Sequence, residues 1–546
     1  MKNPEPKILD LSCGCGNFLI EAYDILYKKI KDNIEEIKKE HGKNYIDNIS
    51  EHIIMKCIYG VDIDKEAIEI LKKNLNIKKS YYDFRQKDIS IICNNISCDD
   101  ALKKNYDIKF DYIIGNPPYI GHKMLDKEYK KFLLKEYKEV YKDKADVYFC
   151  FYKKALDLIS NKGKIGFITP RYFLESPSGK LLREYLLNNC NIKKIIDLKN
   201  VNVFKNLGVA SLILILEKKT NYNIISTYKI NDKTNIEYIK DLKSLLNYDK
   251  CEKISINQKD LEDSWIILNN EEKIIYDSIN EKSDYLLEDI CISFQGIITG
   301  CDKAFILDNN DERISNIDEK LLKLWIKNRK INQYIIDDSN QKLIYTNNIN
   351  KIEDYPYIEE NCLNPYKNKL ENRRECIKQI RKWYELQWGR NSDLFERKKI
   401  MYPYKSNFNK FAIDDKNSFC SADIYSFYIK EEYEHMFSYE YLLGILNSNI
   451  YDRYFKMIGK CMGNEIYDYY PNKVMQLRIF KDENYSEIEN LSKKIISNKI
   501  QVKMITNNMK LQGKKNTFIR EINYLENESH FLQNKINLLI NKSLNL

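Results

Sequence analysis

Short apolar runs that end in a glycine or an acid, each followed by a stretch of helical period, fill the N-terminal part of the chain. Lys7, Ile8, Leu9, Asp10 and Leu11 break into Ser12-Cys13-Gly14-Cys15-Gly16-Asn17, after which Phe18, Leu19, Ala22, Ile25 and Leu26 recur at helical spacing. Ile58, Tyr59, Gly60 and Val61 run into Asp62, and Asp64 stands where its side chain caps the next helix. A third strand is expected around residues 89–93, leading into Cys98-Asp99-Asp100-Ala101-Leu102. The fourth, residues 110–114, meets Gly115 and then Asn116-Pro117-Pro118-Tyr119, and residues 165–170 and 210–216 are later strands. Strands alternating with helices predict an α/β unit with a mostly parallel sheet over residues 1–216.

Beyond residue 216 the periodicity weakens, and residues 217–290 read as a bridging segment. Gly296 and Gly300 open a mixed α+β lobe over residues 291–480. Over residues 481–546, Ile488, Leu491, Ile495 and Ile496, then Leu532, Ile536 and Leu539, repeat at helical spacing and predict two or three closing helices. There is no apolar stretch of about 18 residues and no signal peptide, so neither a membrane span nor export is expected.

Charge adds little by its sum: 89 Lys and Arg against 80 Asp and Glu leave +9 on 546 residues. Its placement says more. Cations are dense in residues 127–144 and 367–399, and the second stretch interleaves Arg373, Arg374, Lys378, Arg381, Lys382 and Arg390 with Trp383, Tyr384 and Trp388. That mixture suits a phosphate backbone and exposed bases, although for any single lysine a solvated helix face is the commoner reason. The 14 cysteines and five histidines form no paired Cys-x-x-Cys ladder, so no metal site is expected and the compartment reads as a reducing cytoplasm. Cys13 and Cys15 read as small residues in a tight turn.

The glycine turn after the first strand lets backbone approach a ligand, and the helix behind it offers free N–H groups. Its spacing is not Gly-x-Gly-x-x-Gly, which disfavours a nicotinamide cofactor. Asp62, at a strand end, is placed to take a ribose diol, and an acid after the third strand is placed to take the exocyclic amine of an adenine. In Asn116-Pro117-Pro118-Tyr119 the prolines fix two successive φ angles and remove two donors, leaving a rigid rim of acceptors. If the Asn116 side-chain oxygen and the Pro117 carbonyl accept the hydrogens of an aromatic amino group, its nitrogen can present a lone pair to an electrophile while Tyr119 stacks on the ring.

This order of motifs resembles the S-adenosylmethionine-dependent amino-methyltransferases, and among them the gamma-class DNA N6-adenine enzymes. The resemblance implies a Rossmann-like catalytic domain, a target recognition domain at 291–480, and helices after it. It places Asp10, Ser12, Cys13 and Gly14 at the cofactor's methionine end, Asp62 and Ile63 at its ribose and adenine, and Asp100 at its amino group. Asn116, Pro117, Pro118 and Tyr119 become the catalytic motif, Phe204 a second surface for a flipped adenine, and Arg373 and Arg374 DNA contacts. Residues 293–300, 397–404 and 441–448 resemble specificity landmarks of type IIG restriction-modification proteins. Together with residues 115–121 and 142–152, they lie especially close to a clostridial solitary adenine methyltransferase. The implied partner is double-stranded DNA, met by a bacterial, nucleoid-associated monomer with no metal and no membrane contact. An aromatic-Thr-Pro segment usual upstream of the glycine turn has no counterpart in the seven residues before Ile8, so weak cofactor binding is expected, and a nuclease in that place is not. The rival readings are a methylating subunit of a restriction-modification system, a protein-glutamine or RNA methyltransferase, and an inactive DNA-binding subunit.

Overall fold

A computed structural model describes residues 3–82, 93–198, 210–220, 224–230, 244, 246, 251–261, 264–462, 465–512 and 515–546. Phe204, assigned above to the flipped base, lies outside the described residues. In strand β1 (Ile8–Asp10) successive side chains point to opposite faces, and both faces are covered. Ile8 packs into a buried cluster with Leu19, Leu26, Ile68 and Leu71, whereas Leu9 joins the cluster of Ile113, Tyr148, Leu156 and Leu182. Helices Asn17–Asp32 and Lys65–Tyr82 therefore cover one face, and Tyr148–Leu158 and Lys180–Asn189 the other. This three-layer packing is why these strands read as nearly continuous apolar runs.

Among the described residues the sheet has nine strands: β1, β2 (Ile58–Asp62), β3 (Ile96–Cys98), β4 (Phe110–Gly115), β5 (Ile159–Pro170), β6 (Cys190–Leu198), β7 (Ser211–Lys218), β8 (Ile224–Ile230) and β9 (Cys251–Asn257). Their order is β3-β2-β1-β4-β5-β7-β6-β8-β9. β1 to β5 pair in parallel, while β7 lies antiparallel between β5 and β6. The strand expected around residues 89–93 lies, apart from Cys93, outside the described residues, and the strand described before Asp100 is Ile96–Cys98. Two expectations are corrected. The first helix buries Leu19, Ala22, Tyr23, Leu26 and Ile30, leaving Phe18 and Ile25 exposed. The sheet does not stop near residue 216: β8 and β9 belong to it, and β9, an edge strand with no buried residue, gave no apolar pattern to read.

The chain divides into two units, residues 1–269 with 462–464, and residues 270–461 with 465–546. The second is mixed α+β. One four-stranded sheet runs in the order Cys291–Gln295, Ile424–Ile429, Lys399–Pro403, Ala412–Asp414, and another contains Leu322–Ile326 and Gln341–Ile344. Trp325, Tyr345, Phe395 and Phe419 sit in its core. Helices Tyr485–Gln512 and Lys515–Ser543 close the chain, burying Ile488 and Ile495 from the first and Ile536 and Ile540 from the second. No described helix is long and apolar enough to cross a membrane.

Candidate active site

Strand order reverses between β1 and β4: the chain steps outward from β1 to β2 and β3, then returns to the other side of β1. In open α/β sheets the loops at such a switch point diverge at the carboxyl ends of the strands and leave a crevice. The two loops there are the glycine turn and the Asn-Pro-Pro-Tyr segment. They are joined directly, since the Ser12 hydroxyl donates to the Asn116 carbonyl at 3.2 Å. Gly115 lets β4 come close: with φ at +151°, a Cβ here would lie 2.5 Å from Asp10 Oδ1.

The acids keep separate posts. Asp10 is fully buried, accepts the Ser12 N–H at 3.0 Å and makes no ion pair among the described residues. Burial first, and the nearby Asp62 charge second, hold its carboxyl up at about 7. Asp62 accepts the Gly14 N–H at 2.8 Å and the Asp64 N–H at 3.0 Å, which fixes it beside the turn. Asp64 caps the next helix, accepting from Glu66 N at 2.8 Å. Ile63, between them, is 73% exposed, an apolar side chain left facing solvent at the strand end. Asp100 accepts the Leu102 N–H at 3.0 Å and the Tyr129 hydroxyl at 3.2 Å. The Cys13 thiol is buried and its pKa is driven far up, chiefly by burial, so it is no nucleophile.

In the catalytic motif Pro117 is buried, and Asn116, Pro118 and Tyr119 are half-buried. The Tyr119 hydroxyl donates to Asn116 Oδ1 and also lies 3.4 Å from the Ile168 carbonyl. Its ring meets Tyr148 edge-on, with centroids 6.1 Å apart. Two side chains behind the motif were not singled out from sequence. Asp146 accepts the Ile120 N–H at 3.0 Å and the Tyr172 hydroxyl at 2.9 Å, so it pins the residue after Tyr119. Burial raises its pKa, and the Tyr172 hydroxyl and the backbone N–H groups of Tyr148, Ile120 and Val147 oppose that rise. Tyr129, from the helix Lys127–Glu136, was read only as part of a cationic stretch. An acid just before a buried aromatic helix was the available signal for Asp146; nothing local marked Tyr129.

Arg373 is not placed as expected. It is buried, and its guanidinium donates to the carbonyls of Leu370, Thr299, Trp383 and Glu385 at 2.8–3.1 Å. A planar five-donor fork is the side chain suited to tie loop carbonyls together, and here four of its five donors are spent on carbonyls, which makes it a staple. Arg374, beside it, is exposed. Among the described residues, no group of three or more His, Cys, Asp or Glu could hold a metal ion.

The Eco57I restriction-modification methylase family matches residues 56–204, which hold β2 to β6 and the Asn-Pro-Pro-Tyr segment. The TaqI-like C-terminal specificity domain matches residues 342–479. In both segments the chain is similar to type II restriction-modification methyltransferases. The type II methyltransferase M.BanIII of Aneurinibacillus aneurinilyticus is 28% identical over 490 residues, 82% of this chain and 79% of the relative. M.BstVI of Geobacillus stearothermophilus is 26% identical over 434 residues, covering 75% and 74%. Among solved structures, the type IIL restriction-modification enzyme MmeI in complex with DNA superposes with a TM-score of 0.62 at 16% identity, over 99% of this chain and 70% of that one. This likeness is one of fold. The methylase match covers the Asp62, Asp100 and Asn116 posts, while Asp10, Ser12 and Gly14 lie before it.

Proposed function

We propose that the chain transfers a methyl group from S-adenosylmethionine to the N6 amino group of an adenine flipped out of a specific site in double-stranded DNA. One observation carries the reading: Asn-Pro-Pro-Tyr stands at the switch point of the sheet, bonded through Ser12 to the glycine turn. The donor set fits the cofactor. Asp10 is a buried carboxyl whose pKa burial raises to about 7, and an α-ammonium would pair with its ionised form. Asp62 is held at the end of β2 for a diol, and Ile63 offers an exposed apolar side chain to a flat purine. When bound, S-adenosylmethionine supplies an electrophilic methyl group and leaves as a neutral thioether.

The rest is done by the chain. Asn116 Oδ1 accepts a hydrogen bond from one N–H of the adenine amine and the Pro117 carbonyl one from the other, which localises the nitrogen lone pair; once the nitrogen has gained the methyl group it releases one proton to solvent. Tyr119 turns its hydroxyl away from Asn116 Oδ1 and lays its ring on the extruded base. Flipping costs a few kcal/mol and stacking returns about 1–3 kcal/mol, so the bonds to the base edge complete the balance. Asp146 keeps the motif from moving as Tyr119 turns.

The test is methyl transfer from labelled cofactor to duplex DNA, followed by nucleoside analysis. Label is expected in N6-methyldeoxyadenosine, and Asn116→Ala should lower it at least about a hundredfold, matching the loss of one preorganised acceptor, while DNA binding persists. Label in a cytosine, in RNA or in protein instead, or normal turnover by the variant, overturns the reading.

A further inference from the structure

We propose that Arg329, Lys405 and Lys410 form a groove that holds the phosphodiester backbone of DNA, an inference that rests on the DNA reading above. The segment between Lys327 and Asn332 faces Pro403, Lys405 and Lys410 across a cavity of about 590 Å³. Four cations line it, Lys327, Arg329, Lys405 and Lys410, against a single carboxylate, Asp423, which already accepts the Ser421 hydroxyl. The chain as a whole carries 89 cations to 80 acids, so its lysine-rich composition does not produce a ratio of four to one in one concavity. The adjoining larger cavity, about 1020 Å³, is nearly balanced: Lys330, Lys410, Lys499 and Lys503 face Asp337, Asp338 and Glu526.

Lys327 is taken up by Asp302 at 2.5 Å, but among the described residues Arg329, Lys405 and Lys410 make no ion pair. Arg329 and Lys405 are exposed and Lys410 half-exposed, so their charges are available at little desolvation cost. They are also held in place. Arg329 sits in a turn closed by Ile331 N to Asn328 O at 3.0 Å. Lys405 follows Tyr404, whose N–H donates to Asp423 O at 2.9 Å. Lys410 follows the buried Asn409, bonded to Asp452 at 2.7 Å and to the Leu446 carbonyl at 2.7 Å. The Lys405 and Lys410 ammonium groups lie 4.9 and 4.7 Å from the rings of Tyr404 and Phe408. Asn328 and Asn332 line the same groove and offer amides to phosphate oxygens or base edges. Three exposed or half-exposed cations and two amides lining one groove suit a polyanion better than a single small anion.

The experiment measures duplex affinity against salt concentration for the full chain and for the triple variant Arg329→Gln, Lys405→Gln, Lys410→Gln. The slope should shrink by about three units, at about 0.9 per lost phosphate contact, which amounts to roughly a hundredfold weaker binding at about 150 mM salt. Cofactor affinity and the unfolding midpoint should not move; should the triple variant fail to fold, Lys405→Gln with Lys410→Gln should lose about two units. A wild-type chain that binds and methylates DNA, together with a variant that keeps the full slope, overturns the groove and leaves the proposed function standing. A wild-type chain that neither binds DNA nor transfers methyl overturns both.

Discussion

Asp10 gives the proposed cofactor site a pH signature. Its folded pKa of about 7 lies above the ordinary 3.8, because burial and the Asp62 charge disfavour the carboxylate. The sign follows from proton counting: between those values the folded chain holds more protons than the unfolded one, so Asp10 costs stability as pH rises through that window. A bound ammonium needs the carboxylate. Cofactor affinity is therefore expected to fall as pH drops below about 7, by up to roughly tenfold per unit, and Asp10→Asn should bind weakly without that slope. Calorimetric titration between about pH 5.5 and 7.5 decides this, and a flat profile in the wild type removes Asp10 from the ammonium. Asp146 acts at one remove. Asp146→Ala leaves the Ile120 N–H and the Tyr172 hydroxyl without their acceptor, so the loop bearing Tyr119 loosens. Turnover should fall about ten- to a hundredfold with cofactor affinity unchanged, since misplacement of about 1 Å costs that much. Tyr172→Phe should lose less, and equal cofactor weakening in both variants would indicate general unfolding instead.

At the scale of elements, what the sequence made legible was local. The glycine turn, Asp62 with its capping neighbour Asp64, and the Asn-Pro-Pro-Tyr strand end are each written within a few consecutive residues, and the structure has them at β1, β2 and β4. What needed the fold were bonds spanning long separations, such as Ser12 to Asn116 and Asp146 to Ile120, because no periodicity encodes them. β3 was too short to show a pattern, and β9 was an edge strand with no buried residue. Within the basic stretch 367–399, Arg373 departs from expectation for a different reason. Charge density implies solvent, but a guanidinium can satisfy buried carbonyls, and Arg373 does so with four. Arg373→Ala is thus expected to destabilise the second unit by about 2–4 kcal/mol, through carbonyls stripped of a charged donor, with little change in salt slope. Arg374→Ala should leave stability within about 0.5 kcal/mol, and it lowers the slope by about one unit if the segment meets DNA. Urea unfolding of the two variants is the check; an Arg373→Ala chain as stable as the parent would contradict the staple.

Over the whole molecule, the residues proposed for chemistry and those proposed for DNA contact fall in different units. Asp10, Ser12, Gly14, Asp62, Ile63, Asp100 and Asn116 all belong to residues 1–269, whereas the groove of Arg329, Lys405 and Lys410 and the specificity-domain match lie in residues 270–546. Each unit has its own buried cluster: the first covers both faces of the nine-stranded sheet, the second gathers around Trp325 and Phe419. Units of this length bury roughly three quarters of the surface their unfolded chains expose, enough for each to keep a core of its own. Residues 1–269 expressed alone are therefore expected to bind S-adenosylmethionine within about threefold of the full chain, since every post listed for the cofactor is retained. Methyl transfer to duplex DNA should drop at least about a hundredfold in kcat/KM and lose its sequence preference, because the phosphate contacts that supply affinity and register are gone. Calorimetry on the fragment, beside transfer assays on matched and scrambled duplexes, separates the two effects. A fragment that folds but does not bind the cofactor would mean that residues 270–546 complete the cofactor site, and the division of labour drawn here would fail.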